Sequence, residues 1–382
     1  MKENWTYKKL TDVCDIQYGY PFDSANFSTS PNDGMPLIRI RDVKDGYSNT
    51  YYKGDYPEEY IIHKGDYLVG MDGEFNIAPW KSGDALLNQR VCKVSSKSNE
   101  VSIGYLYRFL TKELKKIEDE TPFVTVKHLS AKRLNQVLLP VPPIETQSRI
   151  VSELDLLQSI IDKQKAQLKE LDNLAQAVFY DMFGDPVEND KGWEVKKLGD
   201  ECTDMKYGTS RPSCENGKYS YLRMCNISSD GHLDLNNLKT IDVPDDEVEK
   251  CIVRYGDILF NRTNSIDLIG KTCMFDLETP MIIAGYIIRV RLSEKLESRF
   301  VSCMFNMPSM KKLLRAMAKG AVNQANINSK ELASIIIPIP PVILQQSFAT
   351  KIESIEKQKA AIGKSIAETQ RLFDYTMDKY FG

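Results

Sequence analysis

The sequence predicts an α+β protein in which two mixed α/β globular domains are separated by two long helices that form an antiparallel coiled coil. The first observation behind this is a tandem repeat: residues 139–144, Leu-Pro-Val-Pro-Pro-Ile, return 198 residues later as 337–342, Ile-Pro-Ile-Pro-Pro-Val. The second is that neither Pro nor Gly falls between Pro143 and Gly184. The third is that the globular parts also repeat, which predicts a pseudo-twofold arrangement.

The chain of 382 residues exceeds one typical hydrophobic core. We predict two globular domains and two spacer helices, with these boundaries: 1–139 and 185–337 for the globular domains, 140–184 and 338–382 for the helices.

Each Pro-rich motif is followed by one predicted long helix. Pro143 begins the first helix and Gly184 ends it, giving about 39 residues, or roughly 58 Å at the helical rise per residue. Its apolar residues recur in alternating steps of four and three, which is the pattern of a narrow coiled-coil seam. A helix with such a stripe needs a partner, so the two helices are expected to pack as a spacer. Their outer polar positions, such as Glu153 and Lys169, are expected to remain available for other proteins.

The register of the two helices is predicted from their polar seam positions. A pseudo-twofold arrangement favours antiparallel helices, with Gln164 opposite Lys359 and Ile161 beside Ile362. A shift of one heptad either way is expected to place each polar side chain against an aliphatic layer, at about 1–3 kcal/mol each. A single polar layer would then fix the register.

Within the globular parts, β-branched and aromatic runs between Gly, Asp and Pro predict strands, and a 3.6-residue period predicts helices. The predicted strands are 38–43, 67–71, 85–94, 137–139, 219–227, 258–261, 281–291 and 335–337, and the predicted helices are 104–116 and 299–319.

Composition excludes several classes of protein. The net charge is −3, from 50 basic and 53 acidic residues, which counts against a non-specific polyelectrolyte binder. Eight cysteines without a CxxC pair and three scattered histidines indicate neither a zinc site nor a disulfide framework. The sequence shows no apolar leader and no run long enough to cross a bilayer, so we expect a cytoplasmic protein that does not bind membranes.

A polar run follows the predicted strand 258–261 in the second half. It comprises Asn261, Arg262, Thr263, Asn264 and Ser265. Arg can pair bidentately with guanine, Asn with adenine, and Ser or Thr with phosphate, so this run suits nucleic acid. Asn and Ser are also ordinary turn formers, so the alternative is a polar loop that satisfies its own backbone.

The same two interpretations apply to other polar segments. The candidates in the second half are Thr209, Ser210 and Arg211, together with the amide residues Asn323, Gln324 and Asn326. The first-half candidates are Tyr18, which aligns with Tyr207 in the repeat, Asn76, Thr125, Lys127 and His128. His128 is a lone histidine and such residues are more often structural. Arg39 and Arg41 alternate on a predicted strand and share one face, which is either basic or simply solvated.

These features together resemble the specificity subunit of a type I restriction-modification system, over the full length of the chain. The resemblance rests on the repeat of globular domain plus helix, on the Pro-x-Pro-Pro entries with Gln147 and Gln345, and on the segment Gly-Asp-Ile-Leu-Phe-Asn-Arg-Thr-Asn-Ser at 256–265. It implies that each globular part is a target recognition domain reading one half of a bipartite double-stranded DNA sequence. The first half has Val-Gly-Met-Asp-Gly-Glu-Phe-Asn at 69–76 instead, so the two half-sites are expected to differ.

The resemblance also implies the partners. The helices would hold the two readers apart and bind two methyltransferase subunits, while S-adenosylmethionine would be bound by those subunits and no cofactor by this chain. The chain itself would be non-catalytic, and whether ATP-dependent restriction subunits join the complex stays open. Two alternatives remain: a coiled-coil scaffold for proteins only, and a self-contained DNA-modifying enzyme. The enzyme is disfavoured because Val-Pro-Pro-Ile and Ile-Pro-Pro-Val do not match the Asn/Asp-Pro-Pro-aromatic loop of adenine methyltransferases, and because Gly270-Lys271-Thr272 lacks the Gly-rich part of a phosphate loop.

Overall fold

The computed structural model describes residues 5–122, 126–321 and 324–382. The chain divides into two compact units, Met1–Gln164 with Ser365–Gly382 and Lys165–Lys364, and each is described by itself.

The first unit is a mixed α/β globular part. Its strands are β1 (Thr6–Lys9), β2 (Cys14–Tyr18), β3 (Phe27–Ser28), β4 (Met35–Ile38), β5 (Tyr51–Tyr52), β6 (Ile61–Ile62), β7 (Tyr67–Gly70), β8 (Asn76–Pro79), β9 (Ala85–Leu87), β10 (Val91–Ser96) and β11 (Leu138–Val141). Its helices are α1 (Leu10–Val13), α2 (Ile40–Asp45), α3 (Ile103–Glu120) and α4 (Ala131–Asn135), followed by the long α5 (Ile144–Phe183), whose first part belongs to this unit.

One antiparallel sheet of the first unit carries the features that matter for function. Its strand order is β2-β10-β7-β8, and helix α3 packs on it through Tyr105, Leu106 and Phe109. The Ser102 side chain caps α3 by accepting a hydrogen bond from the Tyr105 N–H. Two further sheets have the orders β1-β11 and β3-β5-β4-β9-β6.

The second unit repeats this plan. Its strands are β12 (Val195–Lys197), β13 (Cys202–Tyr207), β14 (Tyr219–Leu222), β15 (Lys239–Ile241), β16 (Ile252–Val253), β17 (Ile258–Asn261), β18 (Thr263–Asn264), β19 (Thr272–Met274), β20 (Met281–Ile283), β21 (Ile287–Leu292), β22 (Lys319–Ala321), β23 (Gln324–Asn326) and β24 (Ile336–Pro338). Its helices are α6 (Asp245–Cys251), α7 (Ser298–Asn306), α8 (Pro308–Met317), α9 (Ser329–Ala333) and most of α10 (Val342–Phe381), whose end from Ser365 belongs to the first unit.

The central sheet of the second unit has the order β13-β21-β17-β19, with each pairing antiparallel. It therefore matches β2-β10-β7-β8 strand for strand, and the pseudo-twofold repeat predicted from the sequence is a repeat of topology. A small sheet with the order β18-β23-β22 is added at the end of β17.

Several predicted elements were wrong in detail. The predicted strand 38–43 is the end of β4 followed by helix α2, and both 85–94 and 281–291 are two strands joined by a turn. The predicted helix 299–319 is two helices, because Pro308 has no N–H to continue α7 and instead occupies the first turn of α8. The predicted strand 219–227 ends at Leu222 and is followed by a turn of 3₁₀ helix.

The long helices α5 and α10 span 40 residues each, one residue more than predicted for the first. In the first unit Gln164 contacts Ser365 while Glu153, nearer the start of α5, contacts Tyr380. In the second unit Asp172 contacts Lys359 while Phe183, at the end of α5, contacts Phe348. In each unit the residue numbers rise along α5 as they fall along α10, so the helices run antiparallel, as predicted.

The predicted register was wrong by about one heptad. The Gln164 amide donates to Ser365 Oγ at 2.7 Å, and the Lys359 ammonium lies 2.8 Å from Asp172 and 3.1 Å from Glu356. The prediction considered seam residues only and assumed that each polar side chain would face an aliphatic layer. Flanking residues supply polar partners for the Lys359 ammonium and for Gln164 Nε2, whereas Gln164 Oε1 is buried without a partner within the described residues. This register therefore carries only part of the expected penalty.

A buried glutamine ties each long helix to its globular part. Gln147 is fully buried: its Nε2 donates to the carbonyls of Glu100 and Pro142, and its Oε1 accepts from the Ser102 N–H. Gln345 repeats this arrangement with the main chain of Lys295, Pro340 and Glu297. The aligned glutamines of the repeat are therefore structural.

A charged contact forms a further junction in the second unit. His232, in a loop of the globular part, lies 3.0 Å from Glu356 on α10 and 3.3 Å from Asp230. Hydrogen bonds to Asp230 and then to Glu356 raise the pKa of His232 to about 9, against opposing effects of burial and of Lys359.

Candidate nucleic-acid interface

The candidate site of the second unit lies where β17 leaves the central sheet. Asn261, the last residue of β17, is fully buried; its Oδ1 accepts from the Thr263 N–H at 3.3 Å and its Nδ2 donates to the Met224 carbonyl at 3.4 Å. A side chain without exposed surface has no access to a DNA duplex. Asn261 therefore stabilises the loop through hydrogen bonds to the main chain. For this residue the structure favours the alternative of a polar loop that satisfies its own backbone.

Arg262 is the centre of a half-buried polar cluster. Its guanidinium carbon lies 4.8 Å from the centroid of the Tyr207 ring, which is a cation–π contact. Its Nη2 donates to Asn326 Oδ1 at 3.1 Å, and Asn326 Nδ2 donates to Thr263 Oγ1 at 3.0 Å. The Arg262 Nε is buried without a partner within the described residues. Ring and amide together fix the direction of the guanidinium.

Strand pairing brings the remaining polar residues of this loop together. Thr263 pairs with Asn326, and Asn264 pairs with Ala325. The Asn264 side chain accepts from the Ser265 N–H at 2.9 Å, while Gln324 is exposed. Asn323 was also predicted to contact DNA, and it lies outside the described residues.

A second segment adjoins this cluster through the turn between β20 and β21. Arg262 N–H donates to the Tyr286 carbonyl, and the neighbouring Gly285 N–H donates to the Thr209 carbonyl. Thr209 is buried and Ser210 is exposed. Arg211 points to α6, where it forms a bidentate pair with Glu247 at 2.6 and 3.0 Å. The structure thus brings Thr209 and Ser210 near Arg262, while Arg211 is held by a carboxylate.

The first unit builds the corresponding place differently. Asp72 and His128 form an isolated antiparallel bridge where Thr263 and Asn326 pair in the second unit. His128 Nδ1 contacts the Asp72 carboxylate closely, and Arg90 Nη1 lies 3.1 Å from His128 Nε2. Arg90 Nε lies 3.7 Å from Asp72 Oδ2. Arg90 Nη1 also lies 3.4 Å from His128 Nδ1, so the guanidinium lies against the imidazole ring while Asp72 contacts the ring at Nδ1.

Main-chain hydrogen bonds establish that the two places are equivalent. Met71 N–H donates to the Arg90 carbonyl, and in the same way Arg262 N–H donates to the Tyr286 carbonyl. Leu129 N–H donates to the Met71 carbonyl, and Ile327 N–H donates to the Arg262 carbonyl. Arg262 and Tyr286 of the second unit thus correspond to Met71 and Arg90 of the first.

Other first-half candidates lie around this framework. The Tyr18 hydroxyl donates to Asn135 Oδ1 at 2.8 Å, and burial raises its pKa to about 12. Lys127 Nζ donates to the Glu118 carbonyl at 2.5 Å. The Asn76 amide donates to the Glu74 carbonyl at 2.8 Å, and its Oδ1 is buried without a partner in the described part of the chain. Thr125 lies outside the described residues.

The prediction that Arg39 and Arg41 share one face of a strand was wrong. Arg39 precedes α2 and its N–H donates to the Asp42 carboxylate, whereas Arg41 lies in the first turn of α2 with its guanidinium 3.6 Å from Asp42. The chain leaves β4 at Ile38 because Asp42 caps the helix. Both arginines are exposed on this helical turn.

Lys271, in the segment with a partial likeness to a phosphate loop, is engaged within the protein. Its ammonium donates to the carbonyls of Met224 and Ile227, and burial lowers its pKa. Main-chain carbonyls thus engage the Lys271 ammonium, and the segment also lacks the glycines of a phosphate loop.

Sequence reasoning missed four residues of these sites: Tyr207, Asp72, Arg90 and Tyr286. The repeat offered a signal for Tyr207, because it aligns with Tyr18. Asp72 lay within the variant loop 69–76 but was not selected. Arg90 and Tyr286 were hidden inside predicted strands that are in fact pairs of strands, and only the turns between them expose these side chains.

The described residues show neither a metal site nor a membrane-spanning helix. Among them, no group of three or more His, Cys, Asp or Glu side chains is arranged to hold a metal ion. No helix in that part of the chain has the length and apolar character to span a bilayer. All eight cysteines are free thiols.

Both halves of the chain match the same protein-family model. A family model described as "Type I restriction modification DNA specificity domain" matches residues 2–173 and again residues 190–369. The chain is 31% identical to the type I restriction enzyme EcoBI specificity subunit of Escherichia coli, in a match that covers 99% of this chain and 86% of that protein. It is 21% identical to the EcoKI specificity subunit of Escherichia coli strain K12, covering 100% and 89%.

Solved structures share the fold. The type I restriction-modification S subunit from M. genitalium superposes with a TM-score of 0.57 at 13% identity, covering 99% of this chain and 96% of that one. A chain from a structure of type I R-M complex assembly and conformational transition gives a TM-score of 0.58 at 20% identity, covering 99% and 98%.

Proposed function

Because the chain belongs to the type I restriction modification DNA specificity family, we propose that it recognises a bipartite, asymmetric DNA sequence and directs methyltransferase subunits to it. In this proposal each globular part reads one half-site. Neither the protein-only scaffold nor the self-contained enzyme is favoured by these relatives, which are specificity subunits over nearly the whole length of the chain.

The observation that carries the proposal is the pair of equivalent polar sites. Both lie at the same corner of a four-stranded sheet, and both hold an arginine against an aromatic or imidazole ring and a polar side chain. The side chains differ while the main-chain hydrogen bonds agree. Two readers with one framework and different side chains suit a target whose two halves differ in sequence.

The partners in this proposal are those that membership of the family implies. Two methyltransferase subunits would bind along the long helices, and each would carry S-adenosylmethionine, so that this chain contributes recognition and no catalytic group. Acting on host DNA, the complex would work in the cytoplasm.

The decisive experiment is to sequence methylated adenines in host DNA from cells with and without this protein. We expect a split motif that depends on the protein. The complex with its methyltransferase subunits should then bind an oligonucleotide carrying that motif more tightly than one with either half scrambled, at a stated salt concentration.

Other outcomes would favour the alternatives. Methylation by the purified chain with S-adenosylmethionine alone would identify a self-contained enzyme. Assembly of the complex without any dependence of the methylated sequence on this chain would identify a scaffold.

A further inference from the structure

We propose that Arg90 is the specificity-determining arginine of the first half, that it reads a guanine, and that Asp72 and His128 are positioning residues that set its direction. This inference rests on the proposed function and assigns one side chain to one base of one half-site.

The backbone presents Arg90 outward. Val91 N–H donates to the Asn88 carbonyl at 3.2 Å, which closes a tight turn between β9 and β10. Arg90 has a φ of 71°, in the left-handed region that non-glycine residues seldom adopt. Such a conformation costs free energy and persists where surrounding contacts hold it, and it occurs often at functional sites. Here it places a side chain that is 51% exposed at the edge of the sheet.

The guanidinium contacts the protein at two of its three nitrogens. Nη1 lies 3.1 Å from His128 Nε2 and Nε lies 3.7 Å from Asp72. Nη2 has no protein partner in the described part of the chain. Because the Nε contact with Asp72 is longer than a hydrogen bond, the Nε–Nη2 side of the rigid guanidinium still presents two donors for the two acceptors of a guanine, O6 and N7.

Comparison with the second half supports this role. There the equivalent turn carries Tyr286, and the arginine follows the neighbouring strand as Arg262, stacked on Tyr207 and bonded to Asn326. In the first half that position is Met71, whose side chain is buried. Each half thus supplies an arginine to this corner from a different place, Arg90 from the turn between β9 and β10 and Arg262 from the link between β17 and β18, each with its own positioning partners.

The test uses the complex with its methyltransferase subunits and oligonucleotides in which each half-site position is varied to all four bases. We expect Arg90→Ala to lower the preference for guanine at one position by about 5- to 150-fold, the range for loss of a bidentate pair. Preferences in the other half-site should not change. Arg90→Gly tests the same loss without backbone strain, should the alanine variant fold poorly.

Arg90→Lys separates base reading from simple charge. Lysine keeps the charge but lacks the planar fork, so we expect it to lose the base preference. Asp72→Ala should broaden the same single position, and Asp72→Asn, which retains an acceptor for His128, should restore much of the preference. Lys64→Ala, which removes an exposed cation of the same unit, is the matched control and should leave the preference unchanged.

The outcomes distinguish this inference from the proposed function. If the wild-type complex shows no split motif, the proposed function itself fails. If the motif is present and Arg90→Ala retains every preference, or Arg90→Lys equals wild type, Arg90 is not a base reader. A uniform loss of affinity without a change at any one position would assign it to phosphate, and would equally overturn the inference.

Discussion

At the residue scale, the two recognition corners share main-chain hydrogen bonds and differ in side chains. Arg262 lies on Tyr207 and bonds Asn326, whereas Arg90 bonds His128 beside Asp72. Asn261, although part of the same polar run, is buried and bonded to the main chain. Arg262 is thus available for base recognition, whereas the adjacent Asn261 supports the loop. A substitution of Arg262 should alter DNA recognition, and a substitution of Asn261 should alter the loop structure.

Arg262→Ala should alter recognition of one half-site only. Loss of a bidentate base contact should cost about 1–3 kcal/mol at that position. Tyr207→Leu should produce a smaller loss at the same position, because it removes the ring that supports the guanidinium. Binding to oligonucleotides varied base by base measures both effects, and relaxation of both half-sites together would contradict the assignment. Arg211→Ala, which removes an arginine already paired with Glu247, is the control.

At the element scale, the sequence predicted long elements well and their joints poorly. Helices α5 and α10 follow from an uninterrupted seam between Pro and Gly, and strand 258–261 follows from its flanking glycine and polar run. The turn at Arg90 was missed although Asn88, Gln89 and Arg90 interrupt the apolar run 85–94, because apolar residues resume at Val91 and no Gly or Pro marks the turn. The helical turn at Arg41 depends on the Asp42 cap, which is a contact between side chain and main chain rather than a periodicity.

The coil register can be tested by disulfide crosslinking within the first unit. In a background with the exposed Cys214 and Cys225 changed to Ser, Gln164→Cys with Ser365→Cys should crosslink rapidly on mild oxidation, because these side chains are in contact. Gln158→Cys with Ser365→Cys is the matched pair for the register predicted from the seam, and it should crosslink slowly. Mobility in non-reducing gels measures the yield, and the reverse order would restore the predicted register.

The His232 junction predicts a dependence of stability on pH. The pKa of His232 is raised in the folded protein to about 9, so its contribution is fully present below about pH 6.5 and is lost as pH rises through about 9. The side chain is 42% exposed, so solvent screening limits the size of the effect. Urea unfolding at several pH values should show wild type approaching His232→Gln above pH 9. A constant difference between the two proteins would show that the ion pair does not contribute.

At the scale of the whole molecule, the repeated plan of globular part plus helix leaves long polar helix faces that the globular parts do not use. Lys169 is exposed on α5, whereas Glu153, which the sequence also suggested as an outer position, accepts a hydrogen bond from Tyr380. Lys169 is therefore suited to a test of partner binding, whereas a change at Glu153 would also remove its hydrogen bond with Tyr380.

Lys169→Glu should weaken assembly with the methyltransferase subunits and leave the recognised sequence unchanged. Charge reversal on a rim position acts on association without disturbing the folded chain. Size-exclusion chromatography at a series of subunit concentrations measures assembly, and methylation mapping measures the sequence. Lys64→Glu, a reversal on the first globular part, is the control for charge alone. An altered sequence preference in Lys169→Glu would contradict a role confined to assembly.

The buried glutamines have a consequence for how such a protein changes over generations. Gln147 and Gln345 bond only carbonyl and N–H groups of the main chain, so the junction makes no demand on the identity of the side chains it touches. Mutations in the globular part therefore leave these glutamine contacts unchanged, whereas side-chain contacts between globular part and helix, such as His232 with Glu356 and Arg108 with Asp155, have to change together. The glutamine junction can thus be inherited unchanged while the recognised DNA sequences diversify.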